Sequence, residues 1–173
     1  FRMPKRICDM SNMSYYDGKL KTHHARPPIP FPRGVSWPQR RPRAMIHVST
    51  PESGSTSKEN PGERAVIIQI VLSMIGAGTR QSRIAIITTY SQQRAMFKQE
   101  LRAKGKPRVH VCSVDEAQGN EWDIVILSLV RSNKRWNAGF CLAPPRMNVA
   151  LSRAMLAMIV VGNFKCLMGG DSD

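Results

Sequence analysis

The chain has 173 residues, enough for one domain with a substantial core and short for two. Lys and Arg number 26 against 12 acidic residues, a net charge of +14 spread over both halves, which points to a polyanionic partner, either nucleic acid or an anionic membrane surface. Cys8, Cys112, Cys141 and Cys166 are too far apart for a zinc cluster, and no apolar run reaches the roughly 18 residues a membrane helix needs. With no secretory leader in sight, a reducing intracellular compartment, cytoplasmic or nuclear, is expected, with no membrane partner. The chain opens at Phe1 without an initiator methionine and is read as a piece of a longer protein or a misassigned start.

Residues 1–43 form an irregular lead-in. Pro27, Pro28, Pro30, Pro32, Pro38 and Pro42 among several arginines forbid helix and central strand, so residues 26–43 are expected to be extended. Residues 44–173 read as one domain. Ala44–Val48 is a short strand, and residues 49–62, rich in Ser, Gly, Thr and Pro, are expected to be a mobile loop. Asn60 or Pro61 can open a helix with Glu63 in its first turn, where a carboxylate suits the helix dipole. Val66, Ile67, Ile70, Val71, Met74 and Ile75 then recur at helical spacing until Gly76 and Gly78. Ile84–Ile87 is a buried strand, and Ser91 can cap a helix running to Gly105. Val109–Cys112 and Ile124–Val130 are further strands, the second apolar on both faces. A helix over Met147–Met155 precedes a last strand, Ala157–Val161. Short doubly buried strands between amphipathic helices specify an α/β domain, a parallel sheet covered on both faces.

Ligands of such sheets collect at the carboxyl ends of the strands. Thr88-Thr89-Tyr90, Ser113-Val114-Asp115 and Arg131-Ser132-Asn133 all follow strands and offer hydroxyls, an amide and a guanidinium for phosphates. For each segment taken alone, caps and turns are the stronger explanation. In Gln118-Gly119-Asn120-Glu121 a glycine permits close backbone approach, and the carboxylate can accept from a ribose hydroxyl. A plain turn with a solvated glutamate fits those four residues as well. Arg153, in the apolar run Asn148–Leu156, needs a counter-charge: a nucleotide phosphate, or Asp115 or Glu121.

These segments, in order, resemble superfamily 1 helicases of the branch containing the nonsense-mediated-decay helicase and senataxin. Phe1-Arg2-Met3 with Tyr15–Leu20, Val35-Ser36-Trp37-Pro38, Asn60–Glu63, Ile86–Gln93, Val114–Asp123, Val130–Asn133 and Met147–Ala154 each resemble one of the branch's motifs. Pro4-Lys5 and Met155 depart from them. The resemblance covers nearly the whole chain and implies the second motor domain only, a RecA-like (P-loop NTPase-type) fold without its own Walker A loop. It implies that Arg2 and Arg153 meet the γ-phosphate, with Phe1 near the adenine. Gln118 and Gly119 would line the phosphate cleft and Glu121 would hold the ribose. Thr88, Ser113, Arg131 and Asn133 would grip single-stranded RNA or DNA. ATP and Mg²⁺ would need the first RecA-like domain of the same protein, because no GxxxxGK[ST] loop occurs here. The implied activity is that of an ATP-dependent helicase, with this piece inactive alone. The alternative is a non-catalytic nucleic-acid-binding module derived from one.

Overall fold

A computed structural model describes residues 31–38, 42–139 and 144–169. Among these residues five strands form one sheet: β1 (Arg43–His47), β2 (Ile84–Thr88), β3 (His110–Cys112), β4 (Trp122–Ser128) and β5 (Ala154–Gly162). Their order is β1-β5-β4-β2-β3, and every pairing is parallel. The expected doubly covered parallel sheet is therefore present.

Alternation along the strands assigns the two faces. Ile84 and Ile86 of β2 with Ile124 and Ile126 of β4 meet helix α1 (Pro61–Gly76) and helix α2 (Ser91–Ala103) in one core, which includes Ile67, Val71, Met74, Phe97 and Leu101. Ile87, Val125, Leu127, Met158 and Val160 form the other core, with Ala150 and Leu151 of α3 (Pro144–Leu151) and the flanking Phe164 and Leu167 of α4 (Phe164–Leu167). β4 and β5 are apolar on both sides because both sides are covered. From the lead-in, Val35 and Trp37 pack against the first core, and Trp37 Nε1 donates to Pro32 O at 2.8 Å.

Several expectations shift. Asn60 caps α1 as expected, its side chain accepting from Glu63 N at 3.0 Å. Glu63 stands in the first turn as expected, but it is fully buried. Ser91 does not cap α2. The first turn of α2 is served by a distant residue instead: Gln92 N donates to Ser57 Oγ at 3.1 Å. The loop expected to be mobile is thus tied down, and the Ser53–Glu59 bridge closes it further. α3 ends at Leu151, not Met155, so Arg153 lies in the turn before β5 rather than within a helix. Ser152 N donates back to Asn148 O and Val149 O, closing the last helical turn there.

Candidate functional site

The topology divides the residues singled out in the sequence into two groups. Trp122 and Ala154 are register partners where β4 and β5 begin, so Glu121 and Arg153 sit side by side at the amino ends of these strands. Arg131 and Asn133 follow the carboxyl end of β4, and Ser113 follows that of β3. Trp122–Ser128 covers about 20 Å between the two ends. The rule that ligands gather at carboxyl ends therefore describes only one of the two groups.

At the amino ends, Arg153 is half-buried and held by neutral oxygens. Its Nε donates to Val149 O at 3.0 Å and Ser152 Oγ at 3.2 Å, its Nη2 to Ser152 Oγ at 2.7 Å, and its Nη1 to Asn120 O at 3.3 Å. Trp122 N donates to Arg153 O at 3.1 Å, which fastens the 117–121 turn to this arginine. β5 carries an extra residue here, between the pairs Trp122–Ala154 and Ile124–Ala157, and such bulges re-aim side chains beside a site. Gly119 has φ +83°, with nothing within 4 Å of where a Cβ would stand. The turn therefore offers open backbone that only glycine adopts without strain. Gln118 and Glu121 are exposed beside it. An oriented guanidinium, exposed backbone and a carboxylate suit a phosphate and a sugar hydroxyl. Phe1 and Arg2 lie outside the described residues.

At the carboxyl ends the candidates are more constrained than expected. Ser113 N donates to Glu116 Oε2 at 2.6 Å while Glu116 N donates to Ser113 Oγ at 3.1 Å, a reciprocal capping pair. The Ser113 backbone bond is the main cause holding the Glu116 carboxyl below its ordinary range. The Ser113 hydroxyl accepts in this pair, so its proton can serve a phosphate oxygen. Thr88 is fully buried, and its Oγ1 and that of Thr89 have no partner among the described residues. Thr89 and Tyr90 are half-buried and thus more accessible than Thr88. Cys112 is a free, half-buried thiol, pushed up to about 11 by burial first and by Glu116 second.

Arg131, Ser132 and Asn133 share one partner that sequence reading missed. Glu52 Oε2 accepts from Arg131 Nε at 3.0 Å, from Ser132 N at 2.7 Å and from Asn133 Nδ2 at 3.2 Å. Glu52 N in turn donates to Ser132 O at 3.0 Å. Burial works against the Arg131 charge, but Tyr90 and Glu52 outweigh it and hold the guanidinium more firmly protonated than usual. Nothing local in a Ser- and Gly-rich loop reveals a carboxylate whose partners lie about 80 positions downstream. Hydrogen bonds to charged groups contribute about 1.5–3 kcal/mol each, so Glu52→Ala is expected to cost roughly 2–3 kcal/mol in urea unfolding. Amide exchange at Ser132 should quicken in the same variant. An unchanged urea midpoint would show that the clamp carries no stability.

Behind this clamp lies a second missed group. Ser128 Oγ donates to Glu63 Oε2 at 2.8 Å and Val130 N donates to the same oxygen at 3.0 Å. Gln93 Nε2 donates to Ser128 Oγ at 3.2 Å, and Asn60 Nδ2 to Val130 O at 3.1 Å. Val130 has φ 69°, a left-handed conformation strained for a β-branched residue, and Asn60 and Glu63 hold it there from both sides. Burial is the main cause raising the Glu63 carboxyl to about 7, against the pull of its bonds from Val130 and Ser128.

The sequence comparison gives the class. The family described as AAA domain matches residues 1–165, and the chain belongs to it. The chain is 36% identical over 181 residues to a Drosophila melanogaster protein named regulator of nonsense transcripts 1 homolog, covering 96% of this chain and 15% of that protein. It is 30% identical over 174 residues to DNA-binding protein SMUBP-2 of Rattus norvegicus, covering 93% of this chain and 17% of that protein. The chain thus spans under a fifth of the length of these relatives. The C-terminal domain of a possible DNA helicase from Lactobacillus plantarum shares the fold, with TM-score 0.56 at 15% identity over 94% of this chain and 86% of that one. The resemblance to the second motor domain of superfamily 1 helicases of the nonsense-mediated-decay branch is borne out. Among the described residues no helix is long and apolar enough to cross a membrane.

Proposed function

We propose that this chain is the second half of an ATP-dependent motor acting on single-stranded RNA or DNA, with residues 44–173 forming the RecA-like domain and residues 1–43 its lead-in. The observation that supports this most is the separation of an arginine-bearing turn at the amino ends of β4 and β5 from a clamped, phosphate-suited loop at the carboxyl end of β4. In this reading Arg153 and Arg2 face the triphosphate, Phe1 lies near the adenine, Gln118 and Gly119 line the cleft, and Glu121 holds the ribose. Ser113, Arg131 and Asn133 grip the strand, with Thr88 acting from beneath. Bound ATP with Mg²⁺ supplies the hydrolysable phosphate, and it needs the first motor domain because this chain has no phosphate-cradling glycine loop.

The rigid β4 and β5 strands are the mechanical link. A shift of the 117–121 turn when the arginine engages phosphate is delivered to the loop after Ser128 through strands buried on both faces. One relative's name refers to transcripts and another's to DNA, and 2′-hydroxyl contacts have no motif signature, so the strand is assigned only as single-stranded nucleic acid. Phosphate release measured on the 173-residue chain alone should not exceed the buffer blank. In a longer protein that also carries a P-loop domain, it should rise when single strand is added. Robust turnover by the chain alone would refute the reading.

A further inference from the structure

The outer flank of α2 carries a charge pattern that neither group of site residues uses. Between residues 94 and 110 there are six basic residues and one acidic one. Arg94, Lys98 and Arg102 recur every fourth position, so they stack on one side of the helix about 6 Å apart. The core side of the same helix is Gln93, Phe97 and Leu101. Lys98 and Arg102 border a groove floored by Leu101, Pro107, Val109 and Val111, which separates the helix from edge strand β3. Lys106 and Arg108 come from the connection that closes the lower end of this groove.

The lone carboxylate of this stretch does not neutralise the flank. Glu100 faces away, toward Arg64 at 3.4 Å and Lys104 at 3.9 Å. Glu116 stands near the upper end, accepting from Ser113 N within electrostatic reach of Arg94 and Lys98, and so offsets part of the charge there only. Lys98, Arg102, Lys106 and Arg108 make no ion pair among the described residues. Holding several exposed like charges in one row costs stability, and a row matched to a repeating anion turns that cost into binding.

We propose that this flank, Arg94, Lys98 and Arg102 with Lys106 and Arg108, binds the phosphodiester backbone of single-stranded nucleic acid as a second tract. Its upper end meets Ser113 at the carboxyl end of β3, so a strand gripped above the sheet can continue down the β3 edge. The apolar floor then accommodates sugar and base surfaces. The proposal rests on the motor reading only for the class of ligand and is independent of ATP.

The test uses the 173-residue chain and a fluorescein-labelled 30-mer of oligouridylate, with anisotropy read from roughly 50 to 200 mM salt. Lys98→Gln with Arg102→Gln should lower the salt slope by about 1.4 and the affinity by roughly 10–30-fold, because each single-strand phosphate contact contributes about 0.7 to the slope. Arg33→Gln with Arg80→Gln removes the same charge beside the far end of α1 and should leave the slope unchanged. Lys98→Arg with Arg102→Lys should restore wild-type binding, which excludes a folding defect. Equal losses in the two glutamine doubles would overturn the tract while leaving strand binding intact. No binding by the wild-type chain would overturn both the tract and the strand grip. A ridge double that loses a deca-glutamate peptide but keeps the oligouridylate would show an acidic protein partner instead, and would also overturn it.

Discussion

Arg153→Ala, made in a protein carrying both motor domains, should lower kcat for ATP hydrolysis by about 10³–10⁵, the usual contribution of a guanidinium that meets γ-phosphate charge. Nucleotide-free strand affinity should change less than about twofold. Arg153 is suited to this because Val149 O, Ser152 Oγ and Asn120 O orient the group without neutralising it. Neutral acceptors are exchanged for an anion at little cost, whereas a buried carboxylate partner would have to be pulled away first. Arg153→Lys keeps the charge but loses the planar fork, so it should recover only a small part of the rate. A rate within tenfold of wild type for the alanine variant would remove Arg153 from the mechanism. A thermal midpoint near that of wild type would confirm that a slow variant is folded.

Folding stability should fall by about 3 kcal/mol between about pH 4.5 and pH 7 on account of Glu63 alone, and be level on either side. The carboxyl ordinarily titrates near 4.5 and is raised to about 7 in the folded protein, chiefly by burial. Within that window the native protein keeps a proton that the unfolded chain has released, so rising pH favours unfolding. Below the window both states hold the proton, and above it neither does. Glu63→Gln keeps the shape and an acceptor for Val130 N and Ser128 Oγ but cannot ionise, so its urea stability should show no such slope. All other ionisable groups are common to both proteins and cancel in the difference. If the two profiles run parallel, the carboxyl is not the titrating group.

Much of the fold was legible because the apolar runs are unambiguous. Ile84–Ile87 and Ile124–Leu127 are apolar at every position, which only a sheet covered on both faces accommodates. Asn60-Pro61 announced α1 by local chemistry alone, and the cap is as expected. The end of α3 was not legible: no glycine or proline marks it, and the helical spacing of apolar residues continues into Ala154–Leu156, which belong to β5. Pairing with β4 claims those residues, and the arginine is left in the turn. Ser91 misled because its neighbour's amide is satisfied from Ser57, and local sequence carries no trace of that partner. The ordered motifs identified the arginine, glycine and carboxylate of the candidate site, but not that they occupy the opposite end of the sheet from Arg131 and Asn133.

Apolar periodicity, caps and motif order by themselves determined a doubly covered parallel sheet and its helicase kinship. Those signals depend on neighbours within a turn or a strand, and so they are written locally. Tertiary structure alone decided that Glu52 would clamp residues 131–133, that Glu63 would be buried against Val130, and that Arg153 would sit beside the 117–121 turn. Each of these joins positions more than 30 residues apart, and strand order, which no local pattern encodes, brings them together.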